Sequence, residues 1–269
     1  MKKEDIIADA AEFTQNSSFN YVAEDAAIRP DLAGMKLFNP PIFAFGSADD
    51  ELYSRYRSPD VIGGHFLLPS EWLPTANTVI SFFLPFTERI KKANAADYRW
   101  PAYEWLYGRV EGQIFVRDLS VRIQRLLSDA GHESIVPLLD TRFKVGSETT
   151  RFTSNWSERH VAFACGLGTF GLSKGIITEK GMCGRLGSII TELELPKDVR
   201  PYREVYEYCT MCGACAAHCP AHAISVLEGK KHPPCSDFLD RTKEVEKTRY
   251  GCGKCQVKVP CESRIPKKK

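Results

Sequence analysis

Two apolar runs separated by a long periodic stretch dominate the first half of the chain. Thr78 to Leu84 reads Thr-Val-Ile-Ser-Phe-Phe-Leu and stops at Pro85, which predicts a buried strand. From Tyr103 to about Ala130, apolar residues recur at helical spacing, and Gly131 is placed to end that helix. Ser134 to Leu139 predicts a second strand. Strand, helix and strand in this order indicate an α/β layer.

Shorter elements follow before the composition changes. A helix is predicted from Trp156 to about Cys165, and strands are predicted at Ile176 to Thr178 and Leu186 to Leu195. Two prolines, Pro196 and Pro201, mark a linker. We therefore predict an α/β domain over residues 1–198 and a small cysteine-rich domain over residues 199–269.

Cysteine spacing is the strongest chemical signal. Eight of the ten cysteines lie in the last quarter of the chain: Cys209, Cys212, Cys215, Cys219, Cys235, Cys252, Cys255 and Cys261. The first four form C-x-x-C-x-x-C-x-x-x-C-P, the ligand pattern of bacterial-type [4Fe–4S] ferredoxins, in which the fourth cysteine reaches a second cluster. Eight thiolates suit two four-iron clusters. We therefore expect a ferredoxin-like domain that carries electrons.

Two other uses of these cysteines fit the sequence less well. A disulfide framework is disfavoured because the first 164 residues contain no cysteine and the chain does not open with a secretory signal. Structural zinc uses one or two C-x-x-C pairs, and three successive thiolates plus Cys-Pro are hard to arrange around one tetrahedral ion. Clusters remain the favoured interpretation.

Composition and charge narrow the remaining classes. Hydrophobic residues make up 43% of the 269, which is ample for a core, and no apolar stretch is long enough to span a membrane. The formal net charge of +2 gives no electrostatic argument for nucleic acid. Free thiols and clusters need a reducing compartment, so we expect a cytoplasmic protein of an anaerobic cell.

A glycine-rich segment, Gly166-Leu167-Gly168-Thr169-Phe170-Gly171, matches G-x-G-x-x-G. A nicotinamide-binding site needs a strand before this motif and a helix after it. The element order predicted here is the reverse, so dinucleotide binding is disfavoured. Two interpretations remain: tight turns between elements, or close approach of the backbone to a bulky ligand.

The motifs in this order resemble the epoxyqueuosine reductases and reductive dehalogenases. The resemblance rests on the Gly166–Gly171 segment, on Arg185-Leu186-Gly187-Ser188 leading to Thr191-Glu192-Leu193, on the two-cluster cysteine pattern and on Tyr250-Gly251-Cys252. It covers roughly residues 70–261. It implies a nitroreductase-like α/β domain that binds base-off cobalamin, followed by the 2[4Fe–4S] domain.

The resemblance also implies roles for particular residues. Electrons would pass through the two clusters to the corrin, which would cleave a small-molecule substrate reductively, and an external donor such as a ferredoxin or flavodoxin would supply them. The corrin-binding positions would be Arg159, Gly166, Leu167, Gly168, Gly171, Arg185, Gly187 and Ser188. Asp140 would be the proton donor, with a pKa raised by partial burial beside the corrin. Glu158 and Arg159 match a further pair of the family.

Several departures from the family pattern bear on these expectations. Val259-Pro260 stands where the family has Cys-Pro, so we expect Cys261 to serve as the ligand instead. The stretch from Asp140 to Gly166 is longer than usual. The helical-repeat extension that holds tRNA is not found, so we do not expect a tRNA substrate, and a twin-arginine signal is not found either. We expect a cytoplasmic relative with its own substrate.

The alternative to a corrin enzyme is an electron-transfer protein that binds no corrin and docks a partner enzyme. Both hypotheses explain the eight cysteines, but only the first explains the positions of the glycine-rich loops and Asp140. Of the other two cysteines, Cys165 is expected to pack in the core, and Cys183 is expected to be inert, with a reactive thiol or a neighbour of the cobalt as the alternatives. The histidines His160, His218 and His222 are expected to be packing or hydrogen-bonding residues.

Overall fold

The computed structural model describes residues 1–148 and 150–267. Helices and strands are interspersed in the first 200 residues, and the later part holds one long helix with several short elements. The helices are α1 (Lys3–Asn16), α2 (Glu51–Tyr56), α3 (Pro69–Trp72), α4 (Glu88–Ala96), α5 (Tyr103–Asp129), α6 (Glu158–Cys165), α7 (Ala214–Ala217) and α8 (His232–Glu246). The strands are β1 (Ile42–Ser47), β2 (Thr78–Pro85), β3 (Ser134–Ile135), β4 (Gly168–Phe170), β5 (Ile176–Thr178), β6 (Gly184–Thr191), β7 (Ile224–Ser225) and β8 (Gly229–Lys230).

A four-stranded sheet in the order β1-β2-β6-β3 organises the α/β part, and every neighbouring pair in it is antiparallel. Strand β2 lies in the middle, and all eight of its residues are buried. This burial explains its continuous apolar run, since a central strand covered on both faces has no side exposed to water. The mixed α and β fold class is confirmed.

Helices cover both faces of the sheet because successive strand residues point to opposite sides. Ile80, Phe82 and Ile189 point to one side and pack in the same core as Phe115 of α5. Val79, Phe83 and Ile190 point to the other side, where α6 packs. The sheet therefore separates two cores, and α6 is the helix that carries the segment Glu158–Cys165 onto the second one.

The predicted elements are confirmed in kind, with two corrections to their length. The predicted strand from Leu186 to Leu195 begins and ends earlier, as Gly184–Thr191. The predicted strand from Ser134 to Leu139 is wrong beyond Ile135, since Pro137 to Leu139 form a 3-10 turn. Pro137 has no N–H to donate to a sheet ladder, which ends the strand there. No helix among residues 1–148 and 150–267 is long and apolar enough to cross a membrane.

The cysteine-rich part packs directly on α4 and α5. Lys91 Nζ of α4 donates to Ser263 Oγ at 2.8 Å, and the guanidinium of Arg249 forms an ion pair with Glu111 of α5. Gly253 lies against the Trp105 indole, where a Cβ atom would have no room. These contacts hold the two parts together, and the domain boundary at residue 198 stays a prediction.

Candidate functional site

The eight clustered cysteines divide into two sets of four around two cavities. The first cavity is lined by Cys209, Cys212, Cys215 and Cys261. The second is lined by Cys219, Cys235, Cys252 and Cys255. No group of three or more His, Cys, Asp or Glu side chains among the described residues is arranged around a single metal ion. Each cavity thus gathers four thiol groups from separate stretches of chain.

Local backbone conformation explains how the short C-x-x-C loops form. Gly213 follows Cys212 with φ +75°, and Gly253 follows Cys252 with φ +65°. A side chain disfavours this left-handed region, so glycine is the residue that turns the chain between two ligands there. The turn leaves the cysteines on each side of it facing the same cavity.

Several of these thiols are shielded from water, whereas Cys212 is exposed. Burial raises the pKa of Cys215, Cys252 and Cys261 to about 12. A buried thiol resists ionisation because the low-dielectric surroundings disfavour its charged form. Binding of iron would therefore have to displace protons from these groups, as metal binding to thiolates generally does.

Two arginines line the second cavity together with its cysteines. Arg185 of β6 donates to the Gln113 side chain. Burial and the neighbouring Arg109 lower the pKa of Arg185 to about 10. The Arg109 guanidinium stacks over Tyr250 at 4.3 Å from the ring centroid. Lys254 is buried nearby, and its Nζ donates to Asn94 O at 2.7 Å and Asn94 Oδ1 at 2.9 Å. This side of the cavity favours a negatively charged occupant.

A larger cleft lies beside the second cavity, and Arg109 lines both. Its volume is about 810 Å³, and a cavity of about 850 Å³ shares Ile62 with it. Four Phe and Tyr side chains are among the residues that line it: Phe143, Phe152, Phe170 and Tyr206. Together the two exceed the range of about 300–1,000 Å³ that drug-sized ligands occupy.

The predicted corrin-binding residues are dispersed relative to this cleft. Arg159 lines it. Arg185 instead lines the second cysteine cavity, and Gly171 lines the first. Gly166 ends α6 with φ +99° and is followed by the buried Leu167.

The remaining predicted corrin positions make close contacts with protein atoms. A Cβ atom at Gly168 would meet the Ile177 carbonyl, and one at Gly187 would meet the Phe82 ring. Ser188 Oγ accepts from Trp156 Nε1 at 2.9 Å. Packing therefore accounts for these residue types, and their corrin-binding role stays a prediction.

Asp140 follows the Pro137–Leu139 turn and is held by Arg142. Arg142 Nε and backbone N both donate to Asp140 Oδ1 at 2.8 Å. These hydrogen bonds lower the pKa of Asp140, so the expected raised pKa is wrong in this arrangement. A carboxylate stabilised by arginine is a poor proton donor, and its catalytic role stays a prediction.

Glu158 at the start of α6 has the properties that were expected of Asp140. Both carboxylate oxygens are buried, and neither accepts a hydrogen bond from a described residue. Burial raises its pKa to about 7, while the nearby Ser188 hydroxyl opposes the shift. The sequence marked this residue only as part of a Glu-Arg pair, because burial of the carboxyl depends on tertiary packing.

The other cysteines and histidines lie in packed surroundings. Cys165 is buried, and its Sγ would be 3.0 Å from a Cβ atom at Gly46. Cys183 is buried as well, and burial raises its pKa well above the usual range, which disfavours a reactive thiolate. His160 Nδ1 lies 2.8 Å from Ser157 Oγ, and His218 Nδ1 lies 3.2 Å from Val257 O.

Comparisons with known proteins match the cysteine segment and the fold separately. A family model described as 4Fe-4S binding domain matches residues 202–225. The tetrachloroethene reductive dehalogenases of Desulfitobacterium hafniense and Dehalobacter restrictus are 41% identical over 66 residues. That match covers 24% of this chain and 12% of theirs, so it describes a segment of those proteins.

Solved structures extend the likeness to most of the chain. The catabolic reductive dehalogenase NpRdhA in complex with 3-bromo-4-hydroxybenzoic acid has a TM-score of 0.54 at 15% identity, over 84% of this chain and 30% of its own. Epoxyqueuosine reductase from Bacillus subtilis has a TM-score of 0.52 at 19% identity, over 84% of this chain and 65% of its own. An epoxyqueuosine reductase with a tRNA-Tyr stem loop has a TM-score of 0.50 at 21% identity, over 82% of this chain and 61% of its own.

At these identities the structural likeness shows the fold, and the family model that matches residues 202–225 shows the iron–sulfur part. The chain spans less than two thirds of the length of each of these relatives. The resemblance predicted from the motifs is confirmed: this is an iron–sulfur protein with the fold of the epoxyqueuosine reductases and reductive dehalogenases, and it contains a 4Fe-4S binding domain.

Proposed function

We propose that this protein is a reductase that passes electrons through two [4Fe–4S] clusters to a corrin in the cleft, for reductive cleavage of a small-molecule substrate. The observation that carries the proposal is the arrangement of three cavities in one fold. Two are lined by four cysteines each, and the second of them shares Arg109 with the cleft.

The residues present fit two four-iron clusters. A [4Fe–4S] cluster takes four thiolate ligands, which is the number that each cavity supplies. We propose that Cys209, Cys212, Cys215 and Cys261 hold one cluster, and that Cys219, Cys235, Cys252 and Cys255 hold the other. The positive charges of Arg109 and Arg185 would balance the negative charge of the second cluster.

The cleft fits a flat macrocycle in size and in lining. Its volume and its aromatic wall suit a large planar group, and Arg159 would contribute a hydrogen-bond donor at its edge. When bound there, cobalamin would supply a metal centre that undergoes reduction and attacks an electrophilic carbon. The protein's part is to bind and orient that group and the substrate, and to manage protons.

The proposed order in which electrons pass through the clusters rests on which cysteines are exposed and which lie near the cleft. Cys212 is exposed, so the first set lies nearest to an external donor such as a ferredoxin or flavodoxin. Arg159, which lines the cleft, is close enough to Cys235 for the two to interact electrostatically. We therefore place the second set between the first set and the cleft.

Two carboxyl groups are candidates for the proton that reductive cleavage requires. Asp140 is the group that the family resemblance implies, but it would first have to leave Arg142. Glu158 already has a pKa near neutrality, but its carboxylate oxygens are buried. We keep Asp140 as the proposed donor and Glu158 as its alternative. Once a substrate is found, the donor's Asn or Gln variant should retain both cofactors and lose turnover.

The activities of the relatives bear on the choice of substrate for this protein. They include dehalogenases of tetrachloroethene and an enzyme crystallised with 3-bromo-4-hydroxybenzoic acid. An epoxyqueuosine reductase was crystallised with a tRNA stem loop, but the net charge of +2 gives no support for tRNA here. We propose a small-molecule substrate and a reducing, cytoplasmic location in a cell living without oxygen.

A second candidate is an electron-transfer protein without a corrin. It is favoured by one observation, namely that Gly168 and Gly187, predicted to contact the corrin, are instead closely packed against protein atoms. Such a protein would use both clusters and would leave the cleft for another ligand.

A cobalamin titration of the anaerobically reconstituted protein separates these candidates. The reductase proposal expects about two clusters per chain, together with a saturable change in the visible spectrum to the base-off form at one corrin per chain. Clusters without any corrin binding would contradict the reductase and favour the electron-transfer protein. A lack of clusters would contradict both.

A further inference from the structure

Two cations meet at one end of the cleft. Arg159 Nη1 donates to the Lys174 carbonyl at 2.8 Å, and Lys174 Nζ lies 3.3 Å from His232 Nε2. All three residues line the cleft, and none of them lines the cysteine cavities. They come from α6, from the turn between β4 and β5, and from the start of α8. We call these three residues the cation corner.

The positive charge of the cation corner is not balanced by protein carboxylates. Neither Arg159 nor Lys174 forms an ion pair with an Asp or Glu among the described residues. Asp60 is the one carboxylate among the described residues that line the cleft. Burial lowers the pKa of Lys174, and the neighbouring Arg159 and Lys230 lower it further. Unpaired cations in a half-buried site favour an anionic ligand.

The backbone at Lys174 is held in a conformation that favours glycine. Lys174 has φ +61°. Two hydrogen bonds hold this turn: Lys174 N donates to Gly171 O at 2.8 Å, and Gly171 N donates to Gly175 O at 2.7 Å. A non-glycine residue in this region carries strain that the surrounding structure must offset, and such residues concentrate at ligand-binding sites. A glycine would relieve that strain but would remove the ammonium group from the cleft.

His232 adds a neutral partner and an aromatic face. Burial, together with Lys174, Lys230 and Arg159, lowers the pKa of His232 to about 4, so its ring is neutral at pH 7 and can accept from Lys174. The Phe152 ring stacks on it at 5.3 Å between centroids. Cations beside a stacked aromatic pair suit a ligand with a planar apolar part and an anionic group.

We propose that the cation corner binds the carboxylate or phosphate group of a small molecule held in the cleft. Two sources share this chemistry: an anionic substrate, and the phosphodiester in the nucleotide loop of the corrin. The choice between them rests on the proposed function, whereas anion binding itself does not.

Inorganic phosphate is the direct probe, titrated by calorimetry at low ionic strength into the oxidised, cluster-loaded full chain. We expect saturable binding to the wild type and binding about tenfold or more weaker to Lys174→Gln. Lys174→Arg should retain binding because it keeps the charge. Lys144→Gln is the matched control, since Lys144 is an exposed lysine lining the neighbouring cavity. Iron content, compared across all variants, reports whether each one is folded.

The source of the anionic group is tested with cobalamin and with cobinamide, which lacks the phosphodiester. If the group belongs to the corrin, Lys174→Gln weakens binding of cobalamin and leaves cobinamide unaffected. If it belongs to the substrate, the variant binds both corrins as the wild type does while losing phosphate. Failure of both corrins to bind would contradict the proposed function and leave the phosphate result valid.

Either of two results overturns the cation corner as an anion site. One is that phosphate fails to bind to the iron-loaded wild type. The other is equal phosphate affinity in the wild type, Lys174→Gln and Lys144→Gln, all with full iron content.

Discussion

The two cysteine cavities and the cleft beside them differ in the residues that line them and in how open they are. Each cavity is lined by four cysteines, and burial raises the pKa of Cys215 in the first cavity and of Cys252 in the second. The cleft is lined by cations and aromatic rings and, among the residues that the structure describes, by one carboxylate, around an open volume. The four cysteines of such a cavity indicate directly which kind of group it would bind. The cleft offers only charge and shape, and these fit a range of related molecules.

The largest expected effect comes from removing a proposed ligand. Cys261→Ala should lose about half of the iron, because a four-iron cluster that lacks one thiolate is not retained. Cys183→Ala is the matched control, since Cys183 is a buried cysteine that lines neither cavity. Iron analysis and EPR of the reduced proteins make the measurement. Full iron in Cys261→Ala would remove that residue from the ligand set and break the division into four and four.

Next in size is the packing of the second cavity against α5. Gly253→Ala should lower the free energy of unfolding by about 3 kcal/mol, since the backbone at this position has φ +65° and the added Cβ would clash with the Trp105 ring. Gly229→Ala is the control: its φ is +73°, but nothing lies within 4 Å, so only the backbone strain of about 1 kcal/mol remains. Chemical denaturation of both variants compares them. Equal losses would show that the contact with Trp105 is not restrictive.

A smaller effect is expected from the buried carboxyl near the cleft. The folded protein retains a proton on Glu158 up to about pH 7, whereas the unfolded chain releases it near the ordinary value of 4.5. The free energy of unfolding should therefore fall by about 2–3 kcal/mol as pH rises from 4.5 to 7. Glu158→Gln should remove this part of the pH dependence. An unchanged pH profile in Glu158→Gln would show that the carboxyl titrates normally.

The smallest effect is expected at Asp140. Asp140→Asn loses the ion pair with Arg142, but the Arg142 side chain is 45% exposed, so the stability change should stay within about 1 kcal/mol. Thermal unfolding and iron content measure this change. A loss above 2 kcal/mol, or any loss of iron, would assign Asp140 a structural role rather than a chemical one.

Ligand spacing made the cysteine half predictable from the sequence. The pattern Cys209 to Cys219 is local, so a few residues specify which thiols gather. The assignment of Cys261 to the first set required the fold, because that residue joins Cys209 across about fifty residues of intervening chain. The long strand and helix were equally accessible, since burial on both faces and helical periodicity leave direct traces in the sequence.

The cleft was less predictable because its properties arise between distant segments. Lys174 and His232 are far apart in sequence and meet only through packing of α8 near the turn after β4. A raised pKa was expected at Asp140, where hydrogen bonds from Arg142 lower it, whereas burial raises the pKa of Glu158, for which the sequence predicted no shift. The motifs in the sequence indicated a segment that lines the cleft, but they could not predict the charges and pKa values of its residues.

The central claim is that electrons leave the second cluster for a corrin in the adjacent cleft. EPR of the reduced, cobalamin-loaded protein tests it most directly, because two paramagnetic centres that lie close together alter each other's relaxation and line shape. The account predicts a Co(II) signal that is broadened or split when the clusters are reduced, with the effect lost in Cys235→Ser. A Co(II) signal that is indifferent to the reduction of the clusters would contradict it.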